Sequence, residues 1–342
     1  MISASHNLFE DNGIKFFNKN GQKFSEELEK RIEVKLTEEM VPVDSINLGK
    51  ATRMSDAQER YIEFCKLPFT DLDLSDLNIL LDCANGATYS VAPKVFTELG
   101  ANIETVAANP DGININQNCG STNPDFLKDQ MSKGNYDMGI AFDGDGDRIL
   151  IISSEGNILD GDDILFILSQ KLPPNSGVVG TLMTNKALEL HFQKNNIDFH
   201  RADVGDKYVL NELVNYEWSL GGEPSGHIIC LDSAPTGDAI IAALKFLYSI
   251  KEMGFSIENS LKDFKKFPQT LINLKVESPN RIIMDDKFWE KVTEIETQLG
   301  DSGRVLIRPS GTEPLIRLMV ESKESSLSEN LCNSLAELAL KI

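Results

Sequence analysis

The sequence lacks the features that would place it in a membrane or in an oxidising compartment. No stretch of its 342 residues is apolar for long enough to cross a bilayer, and the N-terminus has no basic region followed by an apolar run. The five cysteines lie far apart and form no CxxC pair, which argues against a disulfide framework and against a thiolate zinc site. We therefore expect a cytoplasmic protein whose cysteines are reduced and packed.

Basic residues are scarce. The chain has 33 Lys and Arg against 53 Asp and Glu, which gives a net charge of −20 at pH 7. Nucleic acids and anionic membranes are bound through basic patches, so neither is an expected partner. If the ligand is itself an anion, local cations must hold it.

The order of apolar segments predicts an α/β fold. The length exceeds what one hydrophobic core usually holds, so two or three domains are the first expectation. Strands alternate with helices as far as a helix at 238–253, which favours layered sheets with mostly parallel strands. Strands at 270–276, 304–307 and 315–320, with helices at 286–299 and 326–342, then predict a small α+β domain.

The segment DGDGDR, residues 143–148, is the most informative motif. It lies between two apolar strands and places Asp143, Asp145 and Asp147 at alternate positions. Three carboxylates on a glycine-rich bend can converge on one small divalent cation such as Mg²⁺. An EF-hand is excluded, because the sixth position is Arg148 and the twelfth is Ser154. The remaining alternative is a solvated acidic turn.

The segment SASHN near the N-terminus places Ser5 beside an imidazole, and Lys15 follows in DNGIKFF. Ser5 is a candidate for a covalent phosphoenzyme whose phosphoryl oxygens a nearby metal neutralises. Taken alone the pattern is weak, because a terminal segment is more often frayed than catalytic.

Two further loops carry groups that suit a sugar. GGEPSGH presents Glu223 and Ser225, which share a side if the loop is extended, and it ends in His227, a candidate general acid or base. VGDKYV places Lys207 after a glycine turn, where it could meet an anionic or hydroxyl group. The alternatives are a structural histidine and a surface lysine.

The segment RPSGTEP follows a strand and has the composition of a phosphate-binding nest. Its guanidinium, its two hydroxyls and its flexible glycine come from Arg308, Ser310, Thr312 and Gly311. An ordinary β-turn with a capping hydroxyl is the competing interpretation.

The chain resembles the α-D-phosphohexomutase superfamily over essentially its whole length. The resemblance rests on four motifs in this order: the serine loop, DGDGDR, GEPSG and RPSGTEP. The resemblance implies a multidomain α/β fold, with mixed sheets in three domains and a small α+β C-terminal domain. It also implies one active-site loop per domain. Applied here, it implies a C-terminal remnant of domain I at 1–53, domain II at 54–153, domain III at 154–260 and domain IV at 261–342.

The resemblance also implies roles for individual residues. Ser5 would carry the phosphoryl group and would hold Mg²⁺ together with the three aspartates of DGDGDR. Arg148 and Lys15 would lie near the transferring phosphoryl group, with Lys15 and His227 as proton-transfer candidates. The substrate-binding residues would be Lys207, Glu223, Ser225, Arg308, Ser310, Gly311 and Thr312. A sugar 1,6-bisphosphate would be the intermediate and activator.

Within the superfamily, the chain looks most like the members that interconvert glucosamine 6-phosphate and glucosamine 1-phosphate. Four stretches carry this resemblance: DCANGATY, PDGININQNCGSTNP, VGDKYV and RPSGTEPLIRLMVE. That interconversion leads to UDP-N-acetylglucosamine and cell-wall precursors. A phosphosugar substrate and a possible homodimer are thus expected by analogy. Two alternatives stay open, namely an enzyme for glucose or mannose phosphates and an inactive remnant that binds phosphosugar or Mg²⁺.

Two departures from the family pattern stand out. Leu8 occupies a position where the family usually has Pro, which loosens a turn that Pro would pre-set. Only four residues precede Ser5, whereas family members carry most of an α/β domain there, so Met1 resembles an internal methionine. These departures predict a chain with a shortened first domain.

Overall fold

Strands and helices alternate along the computed structural model, which describes residues 1–19, 21, 23–310 and 314–342. The chain divides into two units by its internal contacts. The first unit comprises Met1–Met183 and Ile197–Leu261, and the second comprises Thr184–Asn196 and Lys262–Ile342.

The first unit begins with a hairpin and an exposed helix, followed by a sheet with its helices. The first elements are β1 (Ile2–Ser3), β2 (Gly13–Ile14) and α1 (Glu26–Leu36). The elements of the first sheet follow: α2 (Ala57–Lys66), β3 (Asn78–Asp82), α3 (Ala92–Glu98), β4 (Asn102–Val106), α4 (Pro124–Met131), β5 (Met138–Phe142), β6 (Ile149–Ser153) and β7 (Ile158–Leu159).

The first sheet has five strands in the order β4-β3-β5-β6-β7. Strand β3 runs parallel to β4 and β5, whereas β6 runs antiparallel to β5 and β7. The sequence predicted mostly parallel strands, and β5–β6 differs because only the acidic loop joins them. A parallel pair needs a crossover of a dozen or more residues, so a loop this short closes a hairpin.

The chain from residue 161 to residue 261 begins with a helix that the sequence pattern did not predict, α5 (Gly161–Ser169). Its elements are α5 (Gly161–Ser169), β8 (Gly177–Thr181), α6 (Lys186–Lys194), β9 (Asp198–Ala202), α7 (Asp206–Tyr216), β10 (Leu220–Gly222), β11 (Ile228–Cys230), α8 (Ala239–Ile250) and α9 (Ile257–Leu261). Its sheet has the order β11-β10-β8-β9, with β8 parallel to both neighbours and β11 antiparallel to β10. The first unit thus contains two mixed sheets.

Two apolar helices form much of the core of the first unit. All nine residues of α5 are buried, and α8 contacts α5, β6 and β11. Because even Asp162 and Asp163 of α5 are buried, the helix has no solvent-exposed face. Asp238 caps α8 by accepting hydrogen bonds from the N–H groups of Ile240 and Ile241.

Among the helices that the structure describes, none has both the length and the apolarity that crossing a bilayer requires.

The second unit is built on a three-stranded antiparallel sheet of order β12-β14-β13. Its elements are β12 (Gln269–Lys275), α10 (Pro279–Ile283), α11 (Asp286–Leu299), β13 (Gly303–Pro309), β14 (Leu315–Ser322) and α12 (Ser325–Ala339), together with α6. Helices α11 and α12 bury their apolar faces on the sheet in one cluster that includes Phe288, Leu318 and Leu335. This is the small α+β domain that the sequence predicts.

A buried ion pair fastens α6 to this sheet. Glu321 is fully buried, and its two oxygens accept hydrogen bonds from Arg304 at 2.8 and 3.0 Å. The same carboxylate accepts a hydrogen bond from the N–H of Lys186, the first residue of α6. Arg304 also donates to the carbonyl of Thr184. Because one charge satisfies the other in a dry environment, losing either partner leaves the other uncompensated.

We expect Arg304→Met to destabilise the protein by about 3–5 kcal/mol, because it leaves the buried Glu321 carboxylate unpaired. Arg317→Met is the matched control, since Arg317 is an exposed arginine on β14 of the same sheet. The control should change stability by less than about 0.5 kcal/mol. Urea unfolding measures both, and equal effects of the two substitutions would contradict this account of the ion pair.

Candidate active site

The acidic loop between β5 and β6 folds around the first of its aspartates. Asp143 is fully buried, and its Oδ1 accepts hydrogen bonds from the N–H groups of Gly146, Asp147 and Arg148, each at 3.1 Å. This wrapping turns the other two carboxylates inward. One oxygen from each of Asp143, Asp145 and Asp147 lies within 4.8 Å of the others.

The convergence of three carboxylates is electrostatically costly. Burial, together with the charges of Asp147 and Asp145, raises the pKa of Asp143 to about 8. Within the described part of the chain, one oxygen of each of these aspartates is buried without a hydrogen-bond partner. Hard oxygen donors with unused lone pairs fit a divalent cation such as Mg²⁺, whose charge would offset the repulsion among the three carboxylates.

The serine loop lies directly against the acidic loop. Ser3 Oγ donates to Asp145 Oδ2 at 3.0 Å, and the N–H of Ser5 donates to Ser3 Oγ at 2.8 Å. The Ser5 hydroxyl lies 3.4 Å from Nδ1 of His6. Burial, followed by the charge of Arg148, lowers the pKa of His6. The structure therefore places the candidate nucleophile beside the candidate metal ligands.

Lys15 supplies positive charge to the same place. Its Nζ is 2.5 Å from Asp145 Oδ2 and 3.7 Å from Asp147 Oδ2. Burial alone would lower the pKa of Lys15, but the hydrogen bond to Asp145 and the charges of the aspartates outweigh it and raise that pKa. Lys15 is thus a charged partner of the loop in this arrangement.

His227 is buried between two carboxylates. Its Nδ1 is 3.5 Å from Asp147 Oδ1, and its Nε2 is 3.7 Å from Asp206 Oδ2. Burial alone would lower its pKa, but the adjacent carboxylate of Asp147 and the charges of Asp206 and Glu223 raise it. Asp206, which also pairs with Lys23, was missed at the sequence level. Its position in VGDKYV, next to the predicted Lys207, was the available signal.

The GGEPSGH loop forms a tight turn, so it is not the extended loop in which Glu223 and Ser225 would share a side by alternation. Gly226 has φ +89°, and its N–H donates to the carbonyl of Glu223 at 3.0 Å. Ser225 Oγ still lies 3.5 Å from Glu223 Oε2, so the two side chains are neighbours. The other Glu223 oxygen accepts a hydrogen bond from the N–H of Gly205 at 2.8 Å.

Two predicted cations differ in their surroundings. Lys207 lies in the first turn of α7 and pairs with Glu26 at 3.1 Å and Glu29 at 3.7 Å. Arg148 and His227 form an isolated antiparallel β-bridge. The Nε of Arg148 is buried without a hydrogen-bond partner among the described residues. Arg148 is therefore the cation beside the acidic loop with unused donor capacity.

The RPSGTEP segment belongs to the second unit. Arg308 lies on β13 and pairs in register with Arg317 on β14, so two like charges stand opposite each other across the strands. The N–H of Ser310 donates to the carbonyl of Leu315 at 2.9 Å. Gly311 and Thr312 lie outside the described residues.

Four family models match the chain in succession. They are the phosphoglucomutase/phosphomannomutase alpha/beta/alpha domain I at 1–41, domain II at 59–156, domain III at 160–267 and the C-terminal domain at 271–338. The domain boundaries drawn from the sequence stay a prediction beside these ranges.

Full-length relatives are similar over nearly the whole chain. The phosphoglucosamine mutase of Legionella pneumophila (strain Corby) is 46% identical over 100% of this chain and 77% of its own length. That of Pseudomonas aeruginosa (strain UCBPP-PA14) is 46% identical over 100% and 78%, respectively. That of Methylobacillus flagellatus is 48% identical over 98% and 75%, respectively.

Solved structures share the fold at low identity. The Aspergillus fumigatus N-acetylphosphoglucosamine mutase, in complex with GlcNAc-6P and magnesium, has a TM-score of 0.78 and 18% identity over 99% of this chain and 88% of its own. A Burkholderia thailandensis phosphoglucomutase/phosphomannomutase family protein has a TM-score of 0.77 and 22% identity over 99% and 75%, respectively.

We expect Mg²⁺ to raise the melting temperature of this protein by several degrees, because a cation bound only by the folded state stabilises it. Asp145→Asn should remove most of that shift, since it deletes one charged ligand of the cluster. The control is Asp198→Asn, which makes the same charge change at an exposed residue of β9. Thermal unfolding with and without Mg²⁺ measures the effect, and an undiminished shift in Asp145→Asn would remove Asp145 from the metal site.

We expect Leu8→Pro to stabilise the serine loop by about 0.4–1 kcal/mol. Leu8 is exposed and has φ −73°, which the proline ring accepts, and among the described residues its N–H makes no backbone hydrogen bond. Leu8→Ala controls for the lost side chain and should be nearly neutral. A lower melting temperature for Leu8→Pro than for Leu8→Ala would show that the loop does not fit proline.

Proposed function

Since this chain belongs to the phosphoglucosamine mutase family of phosphohexomutases, we propose that it interconverts glucosamine 6-phosphate and glucosamine 1-phosphate through a phosphoserine at Ser5. The product would feed the synthesis of UDP-N-acetylglucosamine and cell-wall precursors. A phosphosugar is the substrate class, as it is for the A. fumigatus neighbour with bound GlcNAc-6P. A homodimer stays a prediction.

One observation carries the proposal for the mechanism, namely the contact between the serine loop and the acidic loop. Ser3 and Lys15 both bond to Asp145, so Ser5 is held within reach of three converging carboxylates. A phosphorylated serine beside bare carboxylates would be repelled. A cation between the phosphoserine and the carboxylates would remove this repulsion, and magnesium is present in the complex of the A. fumigatus neighbour.

Two phosphoryl transfers complete the proposed reaction. In the first, the free sugar hydroxyl attacks the phosphorus on Ser5, a sugar–phosphate bond forms, the serine–phosphate bond breaks and the hydroxyl loses its proton. The resulting sugar 1,6-bisphosphate turns around in the site. In the second transfer, Ser5 Oγ accepts the other phosphoryl group, and the freed sugar oxygen regains a proton. Positioning and charge neutralisation supply most of the catalysis in such reactions.

The residues around the acidic loop would have different roles in metal binding, orientation of the phosphoryl group and proton transfer. Asp143, Asp145, Asp147 and an oxygen on Ser5 would hold Mg²⁺, which when bound neutralises charge on phosphoryl oxygens. Arg148 and Lys15 would orient the transferring group. Lys15 and His227 are the candidates for moving the sugar proton, and the pairing of His227 with Asp147 and Asp206 fixes its ring.

Substrate recognition would involve the remaining loops. Glu223 and Ser225, whose side chains are neighbours, would bind adjacent sugar hydroxyls, and Lys207 would contribute a further donor. In the second unit, Arg308, Ser310, Gly311 and Thr312 would hold the non-reacting phosphate. The pairing of Arg308 with Arg317 supports this role, because an anion would relieve the repulsion between them.

The decisive experiment is a coupled assay of glucosamine 1-phosphate formation with Mg²⁺ and glucose 1,6-bisphosphate. We expect turnover by the parent chain, at least a 1,000-fold loss in Ser5→Ala, and full activity in Ser132→Ala, which changes an exposed serine after α4. Phosphosugar binding should survive in Ser5→Ala, because the hydroxyl is needed for transfer rather than for recognition.

The same assay separates the alternatives. Faster turnover of glucose 1-phosphate or mannose 1-phosphate would contradict the amino-sugar assignment. Binding of all three sugar phosphates without turnover of any would mean that this chain keeps the binding loops but not the reaction. Normal activity of Ser5→Ala would remove Ser5 as the phosphoryl carrier.

A further inference from the structure

Ser5 has a backbone conformation that needs support. Its φ is +53°, in the left-handed region that residues with a side chain seldom occupy. Such conformations persist only where surrounding contacts fix them, and they cluster at active sites. The N–H of Ser5 donates a hydrogen bond to Ser3 Oγ at 2.8 Å, and the Ser5 carbonyl needs a separate partner.

Asn116 holds the carbonyls of the serine loop. Its Nδ2 donates to the carbonyl oxygen of Ser5 at 2.8 Å and to that of Asn7 at 2.7 Å. The side chain is buried, with 6% of the residue exposed. Both neighbours are acceptors, so only the NH₂ end of the amide satisfies them, and its orientation follows from the chemistry.

The loop that carries Asn116 is itself tied to the end of β3. The N–H of Asn116 donates to the carbonyl of Ala84 at 2.8 Å. The buried Asp82 accepts hydrogen bonds from the N–H of Ala84 at 2.9 Å and from that of Gly120 at 2.6 Å. Hydrogen bonds therefore hold the backbone of the loop that carries Asn116. The two hydrogen bonds from the Asn116 side chain in turn restrain the serine loop.

The same contact reaches the acidic loop. A Cβ added to Gly144, between Asp143 and Asp145, would lie 2.5 Å from the Ser5 carbonyl oxygen and 2.7 Å from Asn116 Nδ2. Atoms of that kind cannot approach so closely, so a residue without a side chain at position 144 lets the Ser5 carbonyl and the Asn116 amide lie against the acidic loop. Any shift of the Asn116 amide would move Ser5 relative to the three aspartates.

We propose that Asn116 is a positioning residue that holds Ser5 in its left-handed conformation against the acidic loop, and thereby sets the geometry of phosphoryl transfer. This inference rests on the proposed function, in which Ser5 carries the phosphoryl group. Asn116 does not touch the substrate in this proposal. It acts through the Ser5 and Asn7 carbonyls.

The test is Asn116→Asp, which keeps the side-chain shape and the tolerance for positive φ but removes both N–H donors. Asn118→Asp is the matched control, because Asn118 has the same φ of +56° in the same loop and is exposed. We expect kcat to fall about 10- to 100-fold in Asn116→Asp, with KM changed less than about threefold, because misplacement impairs transfer more than binding. The control should match the parent.

A second pair separates lost donors from added charge. Asn116→Gly removes the amide without placing a carboxylate near the acidic loop, and Asn118→Gly is its control. Phosphorylation of Ser5 by glucose 1,6-bisphosphate, followed by intact mass, should slow in both Asn116 variants and in neither control. Circular dichroism and thermal unfolding should show a retained fold.

The outcomes are distinct. Parent-like kcat and Ser5 phosphorylation in both Asn116 variants would overturn the inference, as would equal losses in the Asn118 controls. Loss of the fold in both Asn116 variants would also overturn it, because Asn116 would then support the whole unit rather than Ser5. Turnover by Ser5→Ala would instead defeat the proposed function, independently of the Asn116 results.

Discussion

Mutual repulsion among Asp143, Asp145 and Asp147 is the constraint that organises the rest of the site. Their oxygens converge within 4.8 Å of one another in a largely buried hairpin. In a low dielectric such charges repel strongly, so the fold must surround them with compensation. Three N–H groups face Asp143, and Lys15 and His227 face its neighbours. Phosphoryl groups add further negative charge, so a site that binds them needs these positive neighbours and a cation.

The compensation comes from three separate stretches of chain, so the catalytic geometry depends on how loops are fixed to one another. The serine loop has little burial of its own, since its flanking strands have two residues each. Its position relies on bonds from its side chains and carbonyls to the better-packed sheet beside it. Asn116 and Asp145 are two of the residues to which those bonds attach. Buried polar bonds of this kind specify one geometry because leaving them unmade is costly.

Prediction from sequence succeeded where the information is local. The helix at 286–299 was assigned with the bounds that the structure has, because its period and flanking residues define it. The helix α5 was missed, and all of its residues are buried, so it has no exposed polar face. The sequence left the conformation of the loop around Glu223 open, and in the structure a left-handed glycine folds it into a turn. Lys207 pairs with glutamates of α1 in the structure, and its assignment to the substrate stays a prediction.

The sequence by itself determined the family, the α/β character and the acidic loop, because spacing along the chain encodes each of them. Only the tertiary structure decided which distant side chains meet. Lys15 and Asp145 are 130 residues apart, and Asn116 and Ser5 are 111 apart. No local period relates such pairs, and their contact exists only because the β5–β6 hairpin and the 109–120 loop end at the same edge of one sheet. The physical reason is that packing, rather than chain order, places a donor against a distant carbonyl.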